Sequence, residues 1–220
     1  MGFQIAIDGP GGTGKSTTAR LAAQKLGFTY IDTGAMYRAV GVFALEKGVD
    51  VNDAEAVEAL LPMIEIGINR DENGGQRVSL NGVDVTEQLR TAEAGEAASC
   101  VSVHGAVRTK LVELQRQLAT DSNVIMDGRD IGSFVLPDAN VKIYMDASAE
   151  IRAKRRVAEL LSLNQPADFE TVKSEIEKRD YRDKNREITP LVMVEGAVLI
   201  DTGDLTIDEV VELIVNAYNA

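Results

Sequence analysis

Gly9-Pro10-Gly11-Gly12-Thr13-Gly14-Lys15-Ser16 satisfies the spacing G-x-x-x-x-G-K-[ST], and each residue type in it suits a task on a polyphosphate. Glycines let the backbone pass close to phosphate oxygens without a Cβ in the way. Backbone N–H groups and the start of the following helix favour negative charge. Lys15 would reach the β/γ-phosphates, and the Ser16 hydroxyl would bind Mg²⁺. The loop alone does not say whether a nucleotide is hydrolysed, transferred or sensed.

Three further clusters bear on that choice. In Asp32-Thr33-Gly34-Ala35-Met36-Tyr37-Arg38 a loop enters a helix, with Thr33 expected as its N-cap and Arg38 about one turn inside. Asp127-Gly128-Arg129-Asp130 follows the apolar run Val124-Ile125-Met126. An aspartate ending such a strand suits a Mg²⁺-water contact beside a phosphate loop, and Arg129 and Asp130 could hold a phosphate and a base amino group. Arg152, Arg155 and Arg156 come next, and then Arg179, Asp183 and Arg186 at i, i+4, i+7, one helical face with Arg182 close by. Crowded arginines repel one another without an anion, so a mobile lid or substrate role is expected. Phosphoryl transfer calls for this provision, because its transition state spreads charge over equatorial oxygens and is stabilised mainly by positioned cations.

The elements that must carry these residues are legible as patterns. Five short apolar segments, Phe3–Ile7, Phe28–Ile31, Val124–Met126, Val141–Met145 and Val198–Ile200, read as parallel strands. Helical faces lie between them: Ala19, Ala22, Ala23 and Leu26, closed by Gly27; Met36, Val40, Phe43 and Ala44; and Val107, Leu111, Leu114 and Leu118. Thr206-Ile207-Asp208-Glu209 reads as a capping box before Val210, Leu213, Ile214 and Ala217. Strands alternating with helices predict a doubly wound α/β fold, whose ligands bind at the carboxyl ends of the strands. Between Ile64 and Thr86 the period changes. Ile64, Ile66 and Ile68 alternate with polar residues or glycine, Asn73-Gly74-Gly75 marks a turn, and Val78 and Leu80 face Val83 and Val85 across Asn81-Gly82. About three antiparallel strands are expected there, set into the parallel scaffold beside the site.

Composition narrows the classes. The 220 residues are 45% hydrophobic and 26% charged, as in a soluble globular domain. No apolar run approaches the roughly 18 residues of a membrane span, and no secretory leader is visible. The net charge of −12 argues against nucleic acid or anionic membrane as partner. The cations are mostly arginine, 14 against 9 lysines, which suits a small, highly charged ligand in a cleft. Cys100 is the only cysteine, consistent with a reducing cytoplasm and a buried structural role, and His104, the only histidine, also reads as structural. A GTP-hydrolysing switch would be expected to carry Asn-Lys-x-Asp, which is missing here.

In these blocks the chain resembles the nucleoside monophosphate kinases, and among them the bacterial cytidylate kinase family. The likeness rests on Ile7 to Thr17, Asp32 to Arg38, Asp127-Gly128-Arg129-Asp130-Ile131-Gly132, Arg179 to Arg186, and the hairpin insertion before Arg90-Thr91. The resemblance implies transfer from ATP to CMP or dCMP with Mg²⁺, while UMP, AMP or a non-nucleotide acceptor stays open. It implies that Gly9 to Thr17 (Gly9, Pro10, Gly11, Gly12, Thr13, Gly14, Lys15, Ser16, Thr17) hold ATP, with Ser16 on the metal. Ser99, Arg108 and Asp130 would read the cytosine, Arg38 and Arg129 would hold the acceptor phosphate, and Thr33 would offer a hydroxyl. Arg179, Asp183 and Arg186 would meet sugar and phosphates, and Arg155 and Arg156 would belong to a short lid. The implied catalytic cations are Lys15, Arg129, Arg156, Arg179 and Arg186. The expected architecture is an α/β three-layer fold with a five-stranded parallel sheet, a small antiparallel insertion and a short helical lid. Its core would span 1–63 and 104–220, with the lid at about 150–168 and the monophosphate-binding insertion at 64–103. A cytoplasmic monomer is expected.

Overall fold

The computed structural model describes residues 2–70, 75–120 and 122–220. They divide into two compact units, one of Tyr30–Ser122 and the other of Phe3–Thr29 with Asn123–Ala220. The strands are β1 (Gln4–Asp8), β2 (Thr29–Asp32), β3 (Ile66–Arg70), β4 (Gln76–Leu80), β5 (Val83–Asp84), β6 (Val124–Gly128), β7 (Val141–Asp146) and β8 (Val198–Asp201). The helices are α1 (Lys15–Leu26), α2 (Thr33–Glu46), α3 (Ala54–Leu60), α4 (Ala92–Val101), α5 (Gly105–Ala119), α6 (Ala149–Ser162), α7 (Phe169–Asn185) and α8 (Ile207–Asn219).

The five expected parallel strands form one sheet in the order β2-β6-β1-β7-β8, so the strand that feeds the phosphate loop is the central one. Its neighbours run parallel in register, with Ile7 opposite Asp127 on one side and Ile143 on the other. Ile5, Ala6, Ile7, Val124, Ile125 and Met126 are fully buried, which is why both segments read as unbroken apolar runs. Each strand outruns its last apolar residue and ends on or beside an aspartate: Asp8, Asp32, Asp127, Asp146 and Asp201. The ladder continues for as long as partners exist, so Asp8 still pairs Gly128 and Asp146 still pairs Asp201. That extension delivers a row of carboxylates to the carboxyl edge of the sheet, where ligands of this fold class bind.

Helix α1 buries Thr18, Ala19, Ala22 and Ala23 and ends at Gly27 in the left-handed region, φ 70°. It packs on β6 and on α8, whose capping box forms as expected between Thr206 and Glu209. The buried stripe of α8 is Val210, Val211, Ile214 and Val215, and Leu213 faces outward. In α5 the stripe passes through Val107, Leu111, Val112, Gln115 and Ala119, leaving Leu114 and Leu118 half-buried. In both helices a neighbouring face proved the better fit to the packing partner.

In the unit of Tyr30–Ser122, α2 buries Met36, Val40, Phe43 and Ala44 and packs on α4. Its N-cap is Asp32, whose side chain accepts from the Ala35 N–H, and Thr33 is the first helical residue instead of the cap. A carboxylate suits an N-cap as well as a hydroxyl does, and it adds charge complementary to the helix dipole. The insertion is a three-stranded antiparallel sheet, β3-β4-β5. Leu80 pairs Val83 across Asn81 (φ 51°) and Gly82 (φ 81°), the two left-handed residues of a tight hairpin turn. The other turn signal, at Asn73-Gly74, lies outside the described residues. No described helix is long and apolar enough to cross a membrane.

Candidate active site

The phosphate loop starts where β1 must turn sharply. Gly9 adopts φ 147°, and a Cβ there would sit 2.0 Å from the Met145 carbonyl oxygen of β7, so no larger residue fits. At the other end Gly14 precedes α1 in the left-handed region with no side-chain cap. The first-turn N–H groups of α1 are thereby left for an anion. Lys15 is buried and folds back over the loop, donating from Nζ to the Pro10 carbonyl at 2.7 Å. Burial first, and the nearby Arg129 charge second, lower its pKa to about 7. Ser16 and Thr17 stand exposed on the first turn, and the Ser16 hydroxyl donates to Asp127 Oδ2 at 2.9 Å.

The loop is braced from behind. Arg152 of α6 donates from Nη1 to the Gly11 carbonyl at 3.1 Å, and the Thr202 hydroxyl donates to the Thr13 carbonyl at 3.0 Å. Arg152 also forms a two-pronged pair with Asp180 of α7, at 3.0 and 2.5 Å.

Arginines gather in front of it. The Cβ position of Gly11 lies 3.3 Å from Arg129 Nη2 and 3.8 Å from Arg179 Nη1, so two guanidinium groups stand against the loop. Arg129 Nε donates to Asp183 Oδ2 at 2.7 Å. Burial pushes the Asp183 carboxyl up, but the attraction of Arg129, then of Arg179 and Arg186, outweighs it and the pKa falls. Burial likewise works against the Arg129 cation, and the charge of Asp183 more than offsets it. Arg186 was expected on the same helical face as Arg179 and Asp183. It lies instead just past the end of α7 in extended conformation, φ −64° and ψ 143°. Its Nε donates to the Thr189 carbonyl at 2.7 Å, and Nη2 lies 3.3 Å from Asp130 Oδ1. Asp130 is itself buried.

Asp8 holds the Asp-Gly-Arg-Asp segment in place. Its two carboxylate oxygens accept the N–H groups of Ile131 and Gly132, each at 2.7 Å. Burial raises its pKa to about 6 despite those two bonds.

The remaining expected ligands belong to the Tyr30–Ser122 unit. Arg38 donates from Nη2 to Asp32 Oδ2 at 2.6 Å and keeps part of its surface open. Thr33 is buried. Ser99 of α4 is buried, and its hydroxyl has no hydrogen-bond partner among the described residues. Arg108 of α5 is 2% exposed, donates to the Ser102 carbonyl at 3.3 Å and lies 5.9 Å over the Tyr37 ring. A buried arginine and a buried hydroxyl without a partner are each costly in an apolar core and suit a polar guest.

Of the two arginines expected in a lid, Arg155 of α6 is engaged with the Thr202 and Gly203 carbonyls and the Thr202 hydroxyl. Arg156 pairs with Glu159 one turn on, at 2.7 Å, near solvent. Asp8 and Asp180 lie inside blocks that carry the resemblance but have no role assigned there, and Thr202 lies in none. For Asp8 the signal is its place at the end of an apolar strand.

The cytidylate kinase family model matches residues 5–220. A cytidylate kinase of Shouchella clausii is 48% identical over 215 residues, covering 98% of this chain and 95% of that one. One of Carboxydothermus hydrogenoformans is 50% identical over 209 residues, covering 95% and 94%. Among solved structures, shikimate kinase of Bacteroides thetaiotaomicron superposes with a TM-score of 0.51 at 13% identity, covering 99% of both chains, a likeness of fold alone. With a phosphate loop, a braced lysine and an arginine cluster on an α/β sheet, the chain belongs to the cytidylate kinase family, a family of phosphotransferases.

Proposed function

We propose that the chain transfers the γ-phosphoryl group of ATP to CMP and dCMP. The observation that carries this is the pair of guanidinium groups, Arg129 and Arg179, set against Gly11 of the phosphate loop. A loop that only bound a nucleotide would need neither. Cations on that side of the loop suit a phosphoryl group leaving the donor and the phosphate receiving it.

Gly9 to Thr17 take the ATP phosphates, with Lys15 swinging from the Pro10 carbonyl to the β/γ oxygens. The Ser16 hydroxyl and the Asp127 carboxylate, 2.9 Å apart, are hard oxygen donors that fit Mg²⁺. When bound, Mg²⁺ neutralises charge on the β- and γ-phosphates. Among the described residues no group of three or more His, Cys, Asp or Glu could hold a metal, so phosphate oxygens and water would complete the shell.

Arg38 and Arg129 hold the acceptor phosphate. Ser99, Arg108 and Asp130 read the cytosine: the carboxylate accepts from the base amino group, and the arginine and the hydroxyl offer donors to its carbonyl. Asp183 accepts from a sugar hydroxyl, Arg179 and Arg186 take phosphate oxygens, and Arg156 approaches them from α6. No side chain has to act as base, because the acceptor phosphate is largely ionised near neutrality, with a second pKa near ~6 like that of other phosphate monoesters. The enzyme acts as a monomer on free nucleotides in the cytoplasm, without nucleic acid or membrane.

A coupled assay of diphosphate formation over CMP, dCMP, UMP and AMP tests this directly. CMP and dCMP should be used with at least about tenfold higher kcat/KM than UMP, because a missing base hydrogen bond leaves buried groups unpaired. Equal use of UMP, or ATP hydrolysis independent of any monophosphate, would refute it.

A further inference from the structure

We propose that Gln76, on the antiparallel insertion, is a positioning residue for acceptor binding, fixing Arg38 through the backbone of Asp32. This rests on the assignment of Arg38 to the acceptor phosphate.

Gln76 opens β4, and its side-chain amide engages both backbone groups of one residue. Oε1 accepts the Asp32 N–H at 2.8 Å, and Nε2 donates to the Asp32 carbonyl at 3.1 Å. That reciprocal exchange is what a neighbouring antiparallel strand residue would offer. Asp32 ends β2, an edge strand, where backbone groups would otherwise lack a strand partner. The glutamine therefore locks both the position and the rotation of the Asp32 peptide groups.

Asp32 passes that constraint on. Its Oδ1 accepts the Ala35 N–H at 3.0 Å and starts α2, and its Oδ2 accepts from Arg38 Nη2 at 2.6 Å. The space is close-fitting: a Cβ at Gly34 would come within 3.1 Å of both Asp32 Oδ1 and Arg38 Nη1. Arg38 is held to Asp32 by the short 2.6 Å bond, so a displacement of Asp32 carries the guanidinium with it. The insertion thus acts on phosphate binding without a residue of its own touching the phosphate.

Steady-state kinetics of Gln76→Ala, Arg38→Ala and the double variant test the link. Gln76→Ala should raise the KM for CMP about fivefold to tenfold and leave that for ATP within about twofold. In the Arg38→Ala background the same change should add nothing, because the guanidinium it serves is gone. Gln76→Glu keeps the acceptor for the Asp32 N–H but sets a second acceptor against the Asp32 carbonyl, so its CMP KM should rise at least as much as that of Gln76→Ala. It also guards against collapse of the hairpin in the alanine variant, which a thermal melt would reveal. Additive effects, an unchanged CMP KM in both Gln76 variants, or an equal loss for ATP would overturn the link and reduce Gln76 to a staple of the hairpin. An unchanged CMP KM in Arg38→Ala would instead overturn the assignment of Arg38, and the link with it.

Discussion

ATP binding should draw a proton onto Lys15. In the free protein Nζ is buried and bonded to the Pro10 carbonyl, and its pKa lies at about 7 because burial and Arg129 disfavour the cation. At pH 8 about nine-tenths of such lysines are neutral, and at pH 7 about half. Triphosphate oxygens arriving at Nζ restore the cation and lift the pKa towards the ordinary lysine value of 10.5. Binding should therefore take up about 0.9 proton at pH 8 and about 0.5 at pH 7. By the same linkage ATP affinity should fall about 50-fold between pH 7 and pH 9, or about 2.3 kcal/mol. Calorimetric titration in buffers of different ionisation enthalpy measures the uptake. It is cleanest at pH 8, where the ATP phosphates are already ionised. In Lys15→Ala the uptake should vanish. Uptake that persists in that variant, or wild-type binding at pH 8 with no proton exchanged, would refute the neutral-lysine account.

The same two buried groups shape stability. Asp8 rises from 3.8 to about 6 on folding, so the folded chain binds more protons than the unfolded one in that window and stability falls as pH rises through it. Lys15 falls from 10.5 to about 7, so above pH 7 the unfolded chain binds more protons and stability rises again. Thermal midpoints of the ligand-free protein should pass through a minimum between about pH 6 and pH 7, and a monotonic profile would remove at least one of the two shifts. Arg152→Ala removes a buried guanidinium and leaves the partly buried Asp180 without its counter-charge, so it should cost about 2–3 kcal/mol in urea unfolding, whereas Arg152→Met with Asp180→Leu should recover most of it. Gly34→Ala places a methyl 3.1 Å from the Asp32–Arg38 pair near the start of a helix. The helix gains from alanine while the pair is disturbed, so the CMP KM should rise about tenfold with the melting temperature nearly unchanged.

What the sequence revealed, and what it concealed, follows from the range of each interaction. The phosphate loop was legible because its function is backbone chemistry within eight residues, and the glycine spacing records the backbone directly. The five strands and the Asn81-Gly82 turn were legible for the same reason, as short-range periods and φ preferences. The stripes of α5 and α8 were read with the wrong faces in part, because which apolar residues are buried depends on the partner surface, about which periodicity is silent. Thr33 lost the cap to Asp32 because β2 runs one residue further than its apolar content suggests. The greatest divergence concerns α7. The spacing of Arg179, Asp183 and Arg186 describes one helical face, yet α7 stops at Asn185. Leaving the helix is what lets Arg186 reach Asp130, 56 positions earlier in the chain. The groups that hold the site rigid, Asp8 on Ile131 and Gly132, Arg152 on Asp180, and Thr202 on Thr13, all bridge more than 25 positions. Asp8 and Arg152 stand in clusters that type and spacing pick out, but the contact each makes, like that of Thr202, is recognisable only from the partner that folding brings to it. The phosphate loop and the arginine clusters thus announce themselves by type and spacing, and the contacts that hold them in place do not. Gln76 makes a contact of the second kind: in the sequence it is one polar residue of a hairpin, and only the backbone of Asp32 gives it a role.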